Sequence, residues 1–424
     1  MRPPDAYPAK NANTLAAIAD IVGTRIAATD KRVGWLLLGG ALALVALLAL
    51  TRQFALERLL LVPLALTATA FSERARLVAG IVAVTFAVLI ALVLGQGPQI
   101  AADGIEYYQT LVCMANHWTP DLQAGDLDRF HEYASAEGMG APADTSNYYA
   151  EGQGGRRYGY HFWLYEAVAL LPMALLSTLG LGHLVALQFT NCALFVLAWW
   201  MLLRHAAYDP FRRRAFALLW FASPILGYIR WPNPEVLTAS LVVIAICLAS
   251  RRNYRWAALC AALASTQNPP ALLLLGLILV LSALQAWRDR NAYPLVPVTA
   301  AASFALLPTV FNILAMRTAN PIAGNLGLVG FLQAMSLQRT MDLFLDLNMG
   351  LLPFVPILMV LSLVVPLMAV YRGRWLPAVA VLTAIAMASL TSVMGNWNSA
   401  TEGIMRYGTW ILPLLVLQTV SSLT

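Results

Sequence analysis

Lysine is nearly missing from this chain. Of the 27 basic residues only Lys10 and Lys31 are lysines, so any permanently cationic chemistry beyond residue 31 falls to arginine. Charge of either sign is scarce at 11 % of residues, against 60 % hydrophobic. A soluble domain carries about a quarter charged residues, so the composition excludes an ordinary soluble protein and points to a polytopic membrane protein. The net charge of +6 then reflects basic loops retained in the cytoplasm, and nucleic acid is not an expected partner. Cysteine is limited to four residues; Cys192, Cys247 and Cys260 lie in apolar runs and Cys113 in a polar stretch. With no C-x-x-C and no His-rich spacing, neither a disulfide framework nor a metal box is expected. Residues 1–30 lack the short apolar core and cleavage site of a secretory signal. They are expected to form a cytoplasmic N-terminal tail ahead of a single transmembrane domain over 31–424.

What the chain has in abundance is long apolar runs, at about 33–50, 55–71, 77–95, 160–180, 183–203, 215–230, 236–250, 256–268, 271–287, 293–313, 347–370, 375–394 and 408–422. The basic turns at Lys31-Arg32, Arg74/Arg76, Arg251/Arg252/Arg255, Arg288/Arg290 and Arg372/Arg374 belong inside by charge asymmetry. That puts the loop over 97–160 outside, with a second outer loop over 314–346. Phe331, Met335, Met341, Leu343 and Phe344 predict an interfacial helix in the second loop. The three middle runs must join an outer loop to an outer Glu235, which needs an even number of crossings. One of 160–180, 183–203 and 215–230 is therefore expected not to cross fully. The fold expected is all-α, with about twelve spans.

The chain is organised around the polar stretch from Gly97 to His161, which carries three of its five histidines. A loop of this length with a mixed composition is usually functional. Asp103 opens a segment in which Ile105, Leu111, Val112 and Ala115 predict an amphipathic helix lying at the membrane surface. Its carboxylate can cap that helix or act as a base toward an acceptor hydroxyl. Both readings stand at this point. Glu106, three residues on, shares the helix face and can assist or replace it. Cys113 offers a native thiol for reporting on which side of the membrane the loop lies.

Three further patches fall on the same outer face, where polar groups need a reason. Arg156 and Arg157 follow Gly154-Gly155 and precede Tyr158, Tyr160 and His161. The pair can hold a phosphate bidentately or snorkel toward lipid headgroups. Glu235 follows Arg230-Trp231-Pro232-Asn233-Pro234, as a first-turn acid or as a second active-site carboxylate paired with Arg230. Arg406 stands outside against the charge rule, behind Asn396-Trp397-Asn398 and Glu402. Its anionic partner is either Glu402, four residues earlier, or a phosphorylated lipid.

In their order these pieces resemble the GT-C superfamily of polyprenol-phosphate-dependent glycosyltransferases, such as protein O-mannosyltransferases and lipid A aminoarabinose transferases. The shared pattern is an acid opening a large first outer loop (Asp103), a Gly/Arg/Tyr segment (Gly155–Tyr160), and a second acid after a proline turn (Glu235). Asp346…Gly350-Leu-Leu-Pro353 and Gly403-Ile-Met-Arg406-Tyr407…Pro413 complete it, over roughly 77–424. The chain differs from the pattern in having Gly104 where an acid usually follows the first Asp, Glu at the second acid, and no outer lysine.

The resemblance implies a polyprenyl-phosphate-linked sugar as donor, bound from the bilayer, and a glycan, lipid or protein acceptor from the outer side. Asp103, Glu106 and Glu235 would be the catalytic acids, and Arg156, Arg157 and Arg406 the donor phosphate ligands. Tyr107, Tyr158, His161 and Trp397 would contact sugar or acceptor. Location in a bacterial inner membrane, with an extracytoplasmic active face, follows. No cofactor is expected, although Asp103 with Glu235 would suit a divalent ion, as in some related oligosaccharyltransferases. The competing readings are a lipid-linked oligosaccharide polymerase, ligase or flippase, and a secondary transporter with charges near the bilayer midplane.

Overall fold

The structure is a computed structural model that describes residues 57–100, 103–139, 149–322, 333–393 and 405–421. The expected tail over 1–30, the run 33–50, Phe331, Trp397 and Glu402 lie outside the described residues. The chain divides into two compact units, Met1–Thr85 and Phe86–Thr424. Residues described in the first belong to α1 (Glu57–Ala70) and the start of α2 (Ala75–Gln96).

The second unit is mostly helical. It opens with α3 (Gly104–His117), β1 (Asp121–Leu122), α4 (Asp126–Ala136), β2 (Tyr149–Glu151) and β3 (Arg157–Gly159). Then follow α5 (Leu164–Thr178), α6 (Ala186–Arg204), α7 (Pro210–Phe221), α8 (Ile225–Tyr228), α9 (Glu235–Ser250) and α10 (Tyr254–Gln267). After a 3-10 turn at Pro269–Ala271 come α11 (Leu272–Arg288), α12 (Leu295–Ala302) and α13 (Leu307–Met316). The last part holds α14 (Leu337–Leu345), α15 (Leu351–Phe354), α16 (Pro356–Tyr371), α17 (Leu376–Thr391) and α18 (Leu412–Ser421). Helix α9 packs between α6 and α10, α18 lies against α16, α17, α7 and α9, and α3 packs on α4 and α5.

Four helical stretches among the described residues are long and apolar enough to cross a membrane: Ala75–Gln96, Ala186–Arg204, Pro269–Arg288 and Leu295–Met316. Shorter apolar helices are α5, α9, α16 and α17. Their surfaces suit lipid. On α16 the exposed residues Ile357, Val360, Leu363 and Leu367 recur every three or four positions, and Leu367 is 74 % exposed. Val168, Leu171 and Leu175 do the same on α5, with Leu171 79 % exposed. Apolar rows of this extent mark a membrane or a partner rather than water.

Among the three middle runs, 183–203 becomes the 19-residue α6, while 215–230 breaks into α7 and the single turn α8. Asp209 starts α7 early, its carboxylate accepting from Phe211 N at 3.0 Å and Arg212 N at 3.1 Å with Pro210 next in line. That cap brings Arg212, Arg213 and Arg214 into the first turn. The resulting 12 residues reach about 18 Å, short of about 30 Å of hydrocarbon.

Two expectations need correction. The unit is not purely α: the polar stretch before α5 holds a three-stranded antiparallel sheet in the order β1-β3-β2, with Asp121 opposite Tyr158 and Ala150 opposite Tyr158 on the other edge. Strands of two or three residues are too short to show alternation in sequence. Helix α3 does not lie on a surface either. Every residue from Gly104 to Met114 is buried, while Ala115 of the supposed apolar face is exposed. Its polar positions face partners instead of water: Tyr149 Oη donates to Gln109 Oε1 at 2.9 Å, and Gln188 hydrogen-bonds Tyr108. Cys113 is consequently fully buried, and a labelling handle belongs at an exposed position such as Glu132.

In the segment expected to be a second outer loop, α14 forms over the later residues only, leaving Met335 ahead of it, with Ser336 Oγ accepting from Arg339 N at 3.2 Å. Thr340, Leu343 and Phe344 are buried, and Leu337, Met341 and Leu345 make an exposed apolar row suited to an interface.

Candidate functional site

Asp103, Glu235 and Arg406 come from three distant parts of the sequence and meet. Arg406 Nη1 donates to Asp103 Oδ2 at 2.7 Å across 303 residues, and Arg406 Nε lies 3.9 Å from Glu235 Oε1. The arginine is buried, and Asp103 keeps 19 % side-chain exposure. Arg406 Nη2 donates to Tyr407 Oη at 3.1 Å, and the guanidinium lies 5.0 Å from the centre of that ring. A guanidinium beside Glu235 is thus that of Arg406. Lying between two carboxylates, Arg406 supplies there the positive charge that a divalent ion would bring.

Each member is held by its local backbone. Asp103 is the last residue before α3, but its side chain makes no capping bond to the helix; the carboxylate turns to Arg406 instead. Burial pushes the Asp103 carboxyl up, and the charges of Arg406 and His161 with the Arg406 hydrogen bond more than reverse this, leaving it below the ordinary carboxylate range. Burial likewise opposes the charge on Arg406, but Glu235 and Asp103 hold the guanidinium firmly protonated. Arg406 enters its 3-10 turn directly after Met405, whose N–H donates to Met349 O at 2.8 Å. The Met349 turn is in turn folded by Asp346, whose Oδ1 accepts from Asn348 N at 2.8 Å and Met349 N at 2.7 Å.

Gly104 explains how α3 approaches the turn before α9. A Cβ at this position would stand 2.5 Å from Pro232 Cγ, a ring atom with little freedom to move. Gly104→Ala should overpack this contact, lowering stability by about 1–3 kcal/mol. Thermal unfolding in detergent checks this, and an unchanged melting temperature would contradict the contact.

Beside the triad lies a second pair. Glu106 accepts from His161 N at 2.8 Å through Oε1 and bonds His161 Nδ1 at 3.0 Å through Oε2. Gly159 permits this approach, since a Cβ there would sit 2.7 Å from Glu106 Oε1. The Tyr107 ring lies 5.0 Å from the His161 ring, centre to centre. Burial pushes the imidazole down, but the charge and hydrogen bond of Glu106 and the charge of Asp103 raise it to about 9. A histidine raised above its ordinary 6.5 stabilises the fold fully below that pH and loses the contribution as pH climbs to about 9. The melting temperature should therefore fall across this window, and Glu106→Gln should flatten the fall. An equal slope in the variant would assign the loss to other groups.

Sequence reasoning missed Asn233 and Tyr407 as site residues. Neither the amide nitrogen nor the amide oxygen of Asn233 has a hydrogen-bond partner among the described residues, although both are buried; the same holds for Glu235 Oε2 and Arg406 Nε. Buried polar atoms left open in this way are uncommon and mark places where something else binds. The signal for Asn233 was its place between two prolines, two residues before Glu235.

The remaining expected residues lie elsewhere. Arg156 and Arg157 are exposed; Arg156 Nη1 is 3.9 Å from Asp121 Oδ2, and Arg157 pairs with Leu122 and Glu151 in the sheet. Tyr158 is buried edge-on against Phe311. The loop is anchored to the helical body by Glu137, which accepts from the backbone N–H groups of His183, Leu184 and Val185 at the entry to α6. No protein family, curated protein or solved structure matches this chain.

Proposed function

We propose that the chain is a membrane glycosyltransferase of GT-C type, with about twelve crossings and its active face outside a bacterial inner membrane. It would transfer a sugar from a polyprenyl-phosphate donor to an extracytoplasmic acceptor with inversion. The observation that carries this reading is the convergence of Asp103, Glu235 and Arg406, together with the open hydrogen-bonding atoms of Glu235, Arg406 and Asn233. Such a buried, half-satisfied polar cluster is what a polar substrate completes.

The residues divide the reaction as follows. The acceptor oxygen forms a bond to the anomeric carbon and gives its proton to Asp103. The bond from that carbon to the phosphate oxygen breaks, its electron pair leaving with polyprenyl phosphate. Arg406 offers its Nε–H to a leaving phosphate oxygen, and Glu235 and Asn233 bind sugar hydroxyls. Because Arg406 is already paired to Asp103, the donor needs further positive charge, and the exposed Arg156 and Arg157 are the candidates on the outer loop. Lipid chains would run along the apolar outer surfaces of the helices.

The deciding assay supplies radiolabelled polyprenyl-phosphate sugar and candidate acceptors to the purified protein in detergent, in parallel with substrate uptake in liposomes. Acceptor-dependent release of polyprenyl phosphate is expected. Uptake with no turnover would replace the enzyme reading by a transporter.

A further inference from the structure

At the far end of α3 from Asp103, three side chains of metal-binding type face one another. Cys113 and His117 are four residues apart and so share one helix face, and Asp126 at the start of α4 closes on them. One ligand atom from each lies within 4.8 Å of the others. Cys113 and Asp126 are buried, and His117 is half-buried. Such a set, with sulfur, imidazole and carboxylate together, favours a borderline ion such as zinc over magnesium or calcium.

Hydrogen bonds orient these side chains. Asp126 accepts from Asn116 Nδ2 at 2.8 Å and from Gln123 N at 2.7 Å, and His117 Nδ1 lies 2.7 Å from Thr119 Oγ1. An imidazole fixed through one nitrogen and presented through the other is the usual arrangement of a metal-binding histidine. His117 Nε2 points at Asp126 Oδ2, 2.9 Å away, and an ion entering here takes the place of that shared proton.

A further carboxylate supplies the second observation. Asp121 in β1 is buried to 3 % side-chain exposure, and its Oδ1 has no hydrogen-bond partner among the described residues. Gln123 Nε2 stands 3.3 Å from Asp121 Oδ2 and 3.2 Å from His117 Nδ1, which places Asp121 beside the cluster. Two buried carboxylates and a thiol within one small region, with one oxygen unsatisfied, call for positive charge. Arg156, 3.9 Å from Asp121 Oδ2 and largely exposed, answers only part of that need.

We infer that Cys113, His117 and Asp126 form a zinc site in the outer loop, with the Asp121 carboxylate beside it. Bond lengths of about 2.0–2.3 Å set tetrahedral ligand atoms about 3.3–3.8 Å apart, so the cluster closes by about 1 Å, a side-chain adjustment. Three protein ligands leave the fourth tetrahedral position to water. The ion would tie together α3 and α4, and so fix the helix whose other end begins at Asp103. This inference is independent of the transferase reading.

The test uses the full chain, purified without a histidine tag from zinc-supplemented cells. About one zinc per chain is expected to survive gel filtration. After chelation, Co²⁺ added to the wild-type protein should give a thiolate-to-cobalt charge-transfer band. Cys113→Ser should lose that band, and His117→Gln should weaken metal retention at least about tenfold. Wild-type protein that stays monodisperse yet shows no thiolate band with Co²⁺ would overturn the site. Zinc retained unchanged in the Cys113→Ser/His117→Gln double variant would do so as well. The wild-type cobalt spectrum decides the matter even where a variant fails to fold.

Discussion

Asp103→Asn should lower transfer by about two to four orders of magnitude, the usual loss when general-base help is removed, with donor binding largely kept. The substitution preserves size and removes the charge. It also tests the base without disturbing a cap, because the Asp103 side chain makes no capping bond to α3. The carboxylate is held below its ordinary 3.8 by Arg406 and His161 in spite of burial. It therefore stays ionised as pH falls, and the acid limb of kcat/KM should lie below 3.8 in the wild-type enzyme. A depressed pKa makes a weaker base, and the ion pair with Arg406 must loosen as the proton arrives. The measurement is single-turnover transfer across pH, with donor binding measured alongside. Near-normal turnover in Asp103→Asn would move the role of base to Glu106, whose hydrogen-bonded His161 would then carry the proton onward.

The parts of this molecule that were legible in its sequence are those set by local physics. Apolar runs and basic turns located α9, α10, α11, α17 and α18 within a few residues, because apolar length and flanking charge are local quantities; the runs 293–313 and 347–370 instead divide into α12 with α13 and α15 with α16. The crossing count showed that one of the three middle runs falls short but left open which, and the Asp209 cap that starts α7 was not legible. Helix α3 shows where local reasoning fails. Ile105, Leu111, Val112 and Ala115 suggested a helix with one apolar face, yet the chain supplies His161 and Tyr149 to satisfy its Glu106 and Gln109 from tens of residues away. Periodicity reports polarity and cannot tell water from a buried partner. The same limit hid the cluster of Cys113, His117 and Asp126: the first two lie in register on one helix, but Asp126 joins them only through the turn after α3. The sequence named Asp103, Glu235 and Arg406 and paired the two acids around a divalent ion, but it offered Arg406 only Glu402 or a lipid phosphate as partner. That Arg406 reaches Asp103 is a fact of tertiary structure, with 303 residues between the partners.

Arg406→Lys should lower transfer by about 10²–10³, the usual loss for one preorganised donor at a developing negative charge, and weaken donor binding much less. The reason is geometric. The guanidinium meets Asp103 through Nη1 and Tyr407 through Nη2 while turning Nε toward Glu235. A lysine ammonium is a point charge on a flexible stem and cannot hold three directions at once. It still keeps a positive charge between two carboxylates, so Arg406→Lys should fold. Arg406→Ala would leave buried charge uncompensated, at a cost of about 3–5 kcal/mol, and should give poor yields. Two roles for Arg406 are separable by combining the change with Asp103→Asn. If Arg406 serves only to position Asp103, Arg406→Lys should cost nothing further once the carboxylate is gone. If it also meets the leaving phosphate, transfer in the double variant should fall below that of Asp103→Asn alone. Single-turnover rates and donor binding for the wild type, both single variants and the double variant give the answer. Wild-type transfer in Arg406→Lys would remove the guanidinium from the reaction and leave Arg156 and Arg157 as candidates for the donor phosphate.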